Sequence, residues 1–193
     1  MKLPLLAAGA ATLAFALLGT TANSQATPPA AAHYTAQGEL EFPADYREWV
    51  FLTSGVNMNY SDGELGMDHD MVDNVFVDPQ AWRAFKQTGH WPDGTVLVKE
   101  PRAGAHSGSI NKSGTFQTEQ RFGLEVHVKD THRFKGGWAF FNFADEAPAR
   151  VVRAEAQCYS CHTEHGAVDT TFVQFYPTAK PIAVKAGSFD ATK

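Results

Sequence analysis

The sequence predicts an α+β fold, a mainly antiparallel β-sheet with flanking helices in a single domain. Three observations carry this. Residues 122–129 alternate cleanly, with Phe122, Leu124, Val126 and Val128 facing one way and Glu125, His127 and Lys129 the other. A Gly136-Gly137 turn separates that run from an aromatic strand, Trp138 to Phe143, and the pair suggests a hairpin. Asp78-Pro79 and Gly89 bracket a stretch with Ala81, Trp82 and Phe85 on one side, which reads as a capped helix.

The other elements follow in order. The pattern from Tyr46 to Leu52 suits either a helix or an extended segment. Asn57 to Asp70 is polar and rich in Gly and Asp, so it reads as a loop. Asn74 to Val77 is a strand candidate, ended by Asp78-Pro79. Pro92-Asp93-Gly94 makes a turn into a strand over Thr95 to Lys99, and Gly104 to Gly114 is a polar loop. Glu146 to Gln157 is expected to be helical, as is Asp169 to Tyr176, which spaces Phe172 and Phe175 for one face.

The chain start has a different character. Lys2 precedes an apolar run from Leu3 to Leu18, and Ser24-Gln25-Ala26 fits a small-x-small cleavage site. Residues 1–26 therefore read as a secretory signal peptide, too short in its apolar part for the roughly 20 residues that span a bilayer. Export to the periplasm is the expectation, with no membrane span after cleavage. Residues 27–37 are rich in Pro and Ala and read as a flexible leader, 38–180 as the domain, and 181–193 as a C-terminal tail. The formal net charge is −5, which argues against nucleic acid as a partner.

The chemistry sits in Cys158-Tyr159-Ser160-Cys161-His162, which holds both cysteines of the chain. One helical turn places two thiols where they can add to the two vinyl groups of one porphyrin. The adjacent imidazole then reaches the iron from the same face. The motif thus predicts one covalent haem c, with His162 as the proximal iron ligand. A disulfide redox pair lacks the usual strand before it, and a structural zinc site would need four protein ligands. The sixth iron position decides between an electron carrier and small-molecule chemistry. Met58, Met67, Met71 and several histidines compete for it. His127, on the polar side of its strand, and His165, just past the motif, read as solvated.

With these residues in place the chain resembles the cytochrome P-460 family, which includes the sheet-based cytochromes c-prime. The resemblance runs from about Gly38 to Pro177. It rests on Asp45-Tyr46-Arg47-Glu48-Trp49-Val50, on Val75-Phe76-Val77-Asp78-Pro79 and on Thr88-Gly89 with Trp91-Pro92-Asp93-Gly94-Thr95-Val96. It continues through Gly123-Leu124-Glu125, Val128-Lys129-Asp130, Arg133-Phe134 and Gly137-Trp138-Ala139-Phe140, and closes with the haem motif and Phe172 to Pro177. The resemblance implies an antiparallel sheet, a homodimer and a five-coordinate haem. Members with a lysine joined to the haem ring oxidise hydroxylamine; members without it look like gas-binding cytochromes.

Lys99, in Val96-Leu97-Val98-Lys99-Glu100, stands where the family's cross-linking lysine resides. The resemblance therefore implies an enzyme that oxidises hydroxylamine toward nitrous oxide through an iron-nitrosyl and passes electrons to a periplasmic acceptor. The alternatives are a nitric-oxide-binding cytochrome without turnover and a periplasmic electron-transfer cytochrome. Phe76, Phe140 and Phe172 are candidate haem contacts, and Phe76, Phe140 or Phe141 could crowd the distal side. Arg153 and Glu155, just before the motif, are candidates for a proton relay or are simply solvated. Asp73 sits where some hydroxylamine oxidisers carry arginine, a departure that weakens the enzyme reading.

Overall fold

The structure, a computed structural model, describes residues 32–58 and 70–193. The expected signal peptide, residues 27–31 of the leader and Met67 lie outside the described residues. Among them, six strands form one antiparallel sheet: β1 (Val50–Val56), β2 (Asp70–Val77), β3 (Val96–Ala105), β4 (Phe116–Arg121), β5 (Leu124–Lys129) and β6 (Trp138–Phe143). The order is β1-β2-β3-β5-β6. The long β3 pairs with β5 through its first half and with β4 through its second. The expected hairpin is present as β5–β6, Leu124 opposite Phe143 and Lys129 opposite Trp138.

The helices are α1 (Pro79–Thr88), α2 (Gln157–His165) and α3 (Lys180–Ala186). The signals for α1 read correctly. The Asp78 carboxylate accepts from Gln80 N–H at 3.0 Å and Ala81 N–H at 2.8 Å, and Gly89 closes the helix at φ 73°. Its other oxygen accepts from Val96 N–H at 3.1 Å, which ties the start of α1 to β3.

Alternation along the strands sorts the side chains into two cores. One face buries Phe76, Val98, Val126, Phe141 and Phe143 under Leu40, Tyr46 and Trp49. The other buries Val77, Leu97 and Trp138 with Phe85, Trp91 and Val173. Phe140 and Phe141 are neighbours in sequence and face opposite sides. A bulge at Leu52 in β1 puts Leu52 in the second core and Thr53 and Gly55 on the wall of the cavity described below.

Several expectations are corrected. Tyr46–Glu48 form a short 3-10 turn and the strand starts at Val50, which settles the open assignment there. Residues 146–156 are not helical. Asp145 caps Ala147 N–H at 2.8 Å, Ala149 exchanges backbone bonds with Leu40, and Val152 N–H donates to Phe140 at 2.8 Å. Pairing along the sheet edge thus overrides the local helix preference. Residues 169–176 form only a 3-10 turn at Val173–Phe175, because Asp169 and Thr170 both take positive φ. Phe122 precedes β5 and is exposed. Strand β4 was not anticipated; its mixed polar sequence lacks an alternating apolar face. The leader's last residues are ordered, with Tyr34 packed on Phe141, and the tail begins as α3, whose Ala183 is buried. No helix among the described residues is long and apolar enough to cross a membrane.

One buried ion cluster lies on the first face. Glu100 is fully buried and accepts from Tyr46 Oη, from Arg47 at 2.7 Å and from Arg102 at 2.6 Å. Burial alone would raise its pKa, but the hydrogen bonds from Arg102 and Tyr46 and the two guanidinium charges lower it to about 2. A depressed carboxylate stabilises the fold above its unfolded pKa, and that stability drains as pH falls toward 2. Glu100→Gln is therefore expected to cost on the order of 3 kcal/mol at pH 7 and much less near pH 2. Urea unfolding at the two pH values measures it; an equal loss at both would contradict the assignment.

Candidate haem site

The second face of the sheet carries a cavity of about 430 Å³ whose wall joins β1, β2, β3, β5 and β6 to α2. That volume falls within the roughly 300–1,000 Å³ of small-molecule and cofactor sites. Most of the lining is apolar, including Val75, Leu97, Phe140 and Phe172. Helix α2 brings Cys158, Cys161 and His162 to one side of it, and both thiols are free. The helix is held to the sheet through Tyr159. Its ring meets the Phe140 ring edge-on at 4.9 Å and its hydroxyl donates to the Val152 carbonyl at 3.0 Å.

His162 is fixed in one tautomer. Its Nδ1 lies 2.8 Å from the Thr170 carbonyl oxygen, which can only accept, so Nδ1 carries the proton. Nε2 is then the nitrogen with a lone pair for a metal. Burial also lowers the His162 pKa, more than the Thr170 bond raises it, and this favours the neutral ligand form. The ring sits among Phe172 at 4.2 Å, Phe140 at 4.7 Å and His127 at 4.8 Å.

The polar part of the wall is compact. Lys99 on β3 lies 3.0 Å from a Glu125 oxygen and 3.7 Å from Asp73 Oδ1. Cross-strand pairing explains this, since Lys99 stands opposite Glu125 on β5 and opposite Val75 on β2. Burial raises the Asp73 pKa despite the lowering by Lys99, and Glu125 raises it further. Asp73 Oδ1 is buried with only the longer Lys99 contact, and His127 Nε2 is buried without a hydrogen-bond partner. Two thiols and a tautomer-fixed imidazole on an apolar wall, beside a buried His127 nitrogen without a hydrogen-bond partner, suit a flat apolar cofactor with a central metal.

The family model for cytochrome P460 matches residues 43–173. This chain belongs to the cytochrome P460 family. The family implies a haem cofactor, and the cavity supplies residues that fit one. A search of curated proteins found no match to the chain.

Among the nominated site residues of this cytochrome, Cys158, Cys161, His162, Lys99, Phe140 and Phe172 all line the cavity. Phe76 does not. It follows Val75 on β2 and therefore faces the other side, where it meets Tyr46 at 5.7 Å and Phe51 at 5.8 Å. Phe141 is likewise in the opposite core. Arg153 and Glu155 are exposed in the segment before α2 and are not on the cavity wall. Met58 lines the cavity and Met71 does not. His165 is exposed, as expected.

His127 is a correction. It is buried, stacked on Phe140 at 4.0 Å and tilted against Trp138 at 4.3 Å, and burial lowers its pKa well below the usual imidazole value. Its strand face is polar in sequence because that face lines a cofactor cavity. The same misreading hid Glu125. The available signal was the alternation itself, which puts Glu125 and His127 on one face of the strand beside Lys99.

Proposed function

We propose that this cytochrome is an exported mono-haem c-type protein that oxidises hydroxylamine at an open iron position. In this reading the Cys158 and Cys161 thiols would add to the two vinyl groups, His162 Nε2 would hold the iron, and the Lys99 amine would join the porphyrin edge, its N–C bond replacing one N–H and one ring C–H with two electrons passing to a peroxide-type oxidant during maturation. Bound there, haem would supply the redox chemistry and the coordination position. The observation that carries the reading is the grouping of Lys99, Asp73 and Glu125 on the wall of the cavity that also holds the haem motif.

That grouping suits hydroxylamine oxidation because the reaction releases protons as well as electrons. Two hydroxylamines give nitrous oxide and water with four protons and four electrons. Asp73 and Glu125 are the carboxylates placed to take up protons. Burial favours the protonated form of Asp73, which brings its pKa closer to working pH. The apolar side chains of Val75 and Leu97 on the cavity wall limit water in the cavity. A periplasmic acceptor takes the electrons, and the protein works as a homodimer.

The phenylalanines favour this reading over simple gas binding. Phe76 and Phe141 face away from the cavity, and Phe140 and Phe172 pack on His162 itself, which leaves Phe175 as the one further phenylalanine on the described cavity wall, and it is half exposed. The test is turnover by the purified protein with an artificial electron acceptor, together with its ferrous visible spectrum. Nitrous oxide production and a strongly red-shifted Soret band are expected. An ordinary high-spin c-type spectrum, nitric oxide binding and no turnover would establish the gas-binding alternative instead.

A further inference from the structure

The support for His162 runs through one short turn. Asp169 and Thr170 take φ of 47° and 61°, left-handed values that a β-branched residue such as threonine rarely adopts. The backbone packs tightly here. A Cβ added at Gly166 would lie 2.5 Å from the Thr170 carbonyl carbon and 2.6 Å from the His162 carbonyl oxygen. The result of this turn is the placement of the Thr170 carbonyl on His162 Nδ1–H.

A separate corner of the fold holds the turn in place. Asp169 Oδ2 accepts from the Trp91 backbone N–H at 2.8 Å and lies 3.8 Å from Lys129 Nζ. Asp169 Oδ1 faces His90 Nδ1 at 3.1 Å. Lys129 also donates to the Trp91 carbonyl at 2.7 Å. The Trp91 indole N–H donates to Thr171 Oγ1 at 2.8 Å, and its ring is buried against Phe85 at 4.0 Å. The clamp is thus anchored in the buried core beneath α1 and reaches the turn at two points, the Asp169 carboxylate before Thr170 and the Thr171 hydroxyl after it.

We propose that Asp169 is a positioning residue for the proximal histidine. By pinning the turn to Trp91, it keeps the Thr170 carbonyl on Nδ1–H. That bond fixes the imidazole's orientation and raises its basicity toward the metal. The inference rests on His162 being the iron ligand.

The test is the iron–imidazole stretching band of the ferrous holoprotein by resonance Raman. Asp169→Ala removes the clamp, and the band is expected to move to lower frequency. Asp169→Asn keeps an oxygen that can accept from Trp91 N–H, so its band should stay near wild type. Val128→Ala, in the opposite core, should lower the melting temperature and leave the band in place. A band indifferent to Asp169→Ala overturns the proposal. So does an equal shift in the Asn and Ala variants, which would mean charge and not position, or an equal shift in Val128→Ala. If His162→Gly leaves the iron spectrum unchanged, the ligand assignment fails and the proposal falls with it.

Discussion

Replacing Lys99 with alanine is expected to return the ferrous Soret band to an ordinary c-type position and to cut hydroxylamine turnover roughly a hundredfold or more, the scale of losing a group that acts in the transition state. The side chain is on the cavity wall, and its amine is held between Glu125 and Asp73. Removing it takes away the proposed ring bond. The fold should survive, because Lys99 is not part of either buried apolar core. Lys99→Arg tests the bond apart from the loss of the side chain. It keeps a cation beside the carboxylates but cannot make the same bond, so its spectrum should match the alanine variant. A Lys99→Ala protein with the wild-type spectrum would remove the cross-link from the account.

His162→Gly carries the second large effect. The haem should stay attached through Cys158 and Cys161, while the iron loses its protein nitrogen. Turnover should fall at least roughly a hundredfold, and added imidazole should restore part of it by filling the space left beside Phe140 and Phe172. Rescue by a small base distinguishes a ligand from a residue that only packs. Absence of any spectral change would show that another group holds the iron.

Much of this site was legible before any coordinates. The haem motif is a local signal, and one helical turn is enough to bring its three ligating groups to the same side. Lys99 was legible only through resemblance, since nothing local distinguishes it from a surface lysine at a strand end. The hairpin and α1 were legible because alternation, capping and turn residues agreed. What failed was long-range. The segment 146–156 carries helix-favouring residues, yet Ala149 pairs with the distant Leu40 and Val152 with Phe140 on the edge strand β6. Phe76 is apolar like the true cavity residues, and only its place in the strand, next to Val75 on the cavity face, sends it to the other side. His127 differs from its sequence reading for one reason. A polar strand face normally means water, and here it lines a cofactor cavity instead.

The most direct test of the central claim is the intact mass of the exported protein under denaturing conditions, after maturation with a cytochrome c assembly system. The account predicts the mass of the processed chain plus one haem, with colour that stays on the polypeptide and no thiol open to alkylation. A colourless chain at its bare mass, with Cys158 and Cys161 both alkylated, would contradict it.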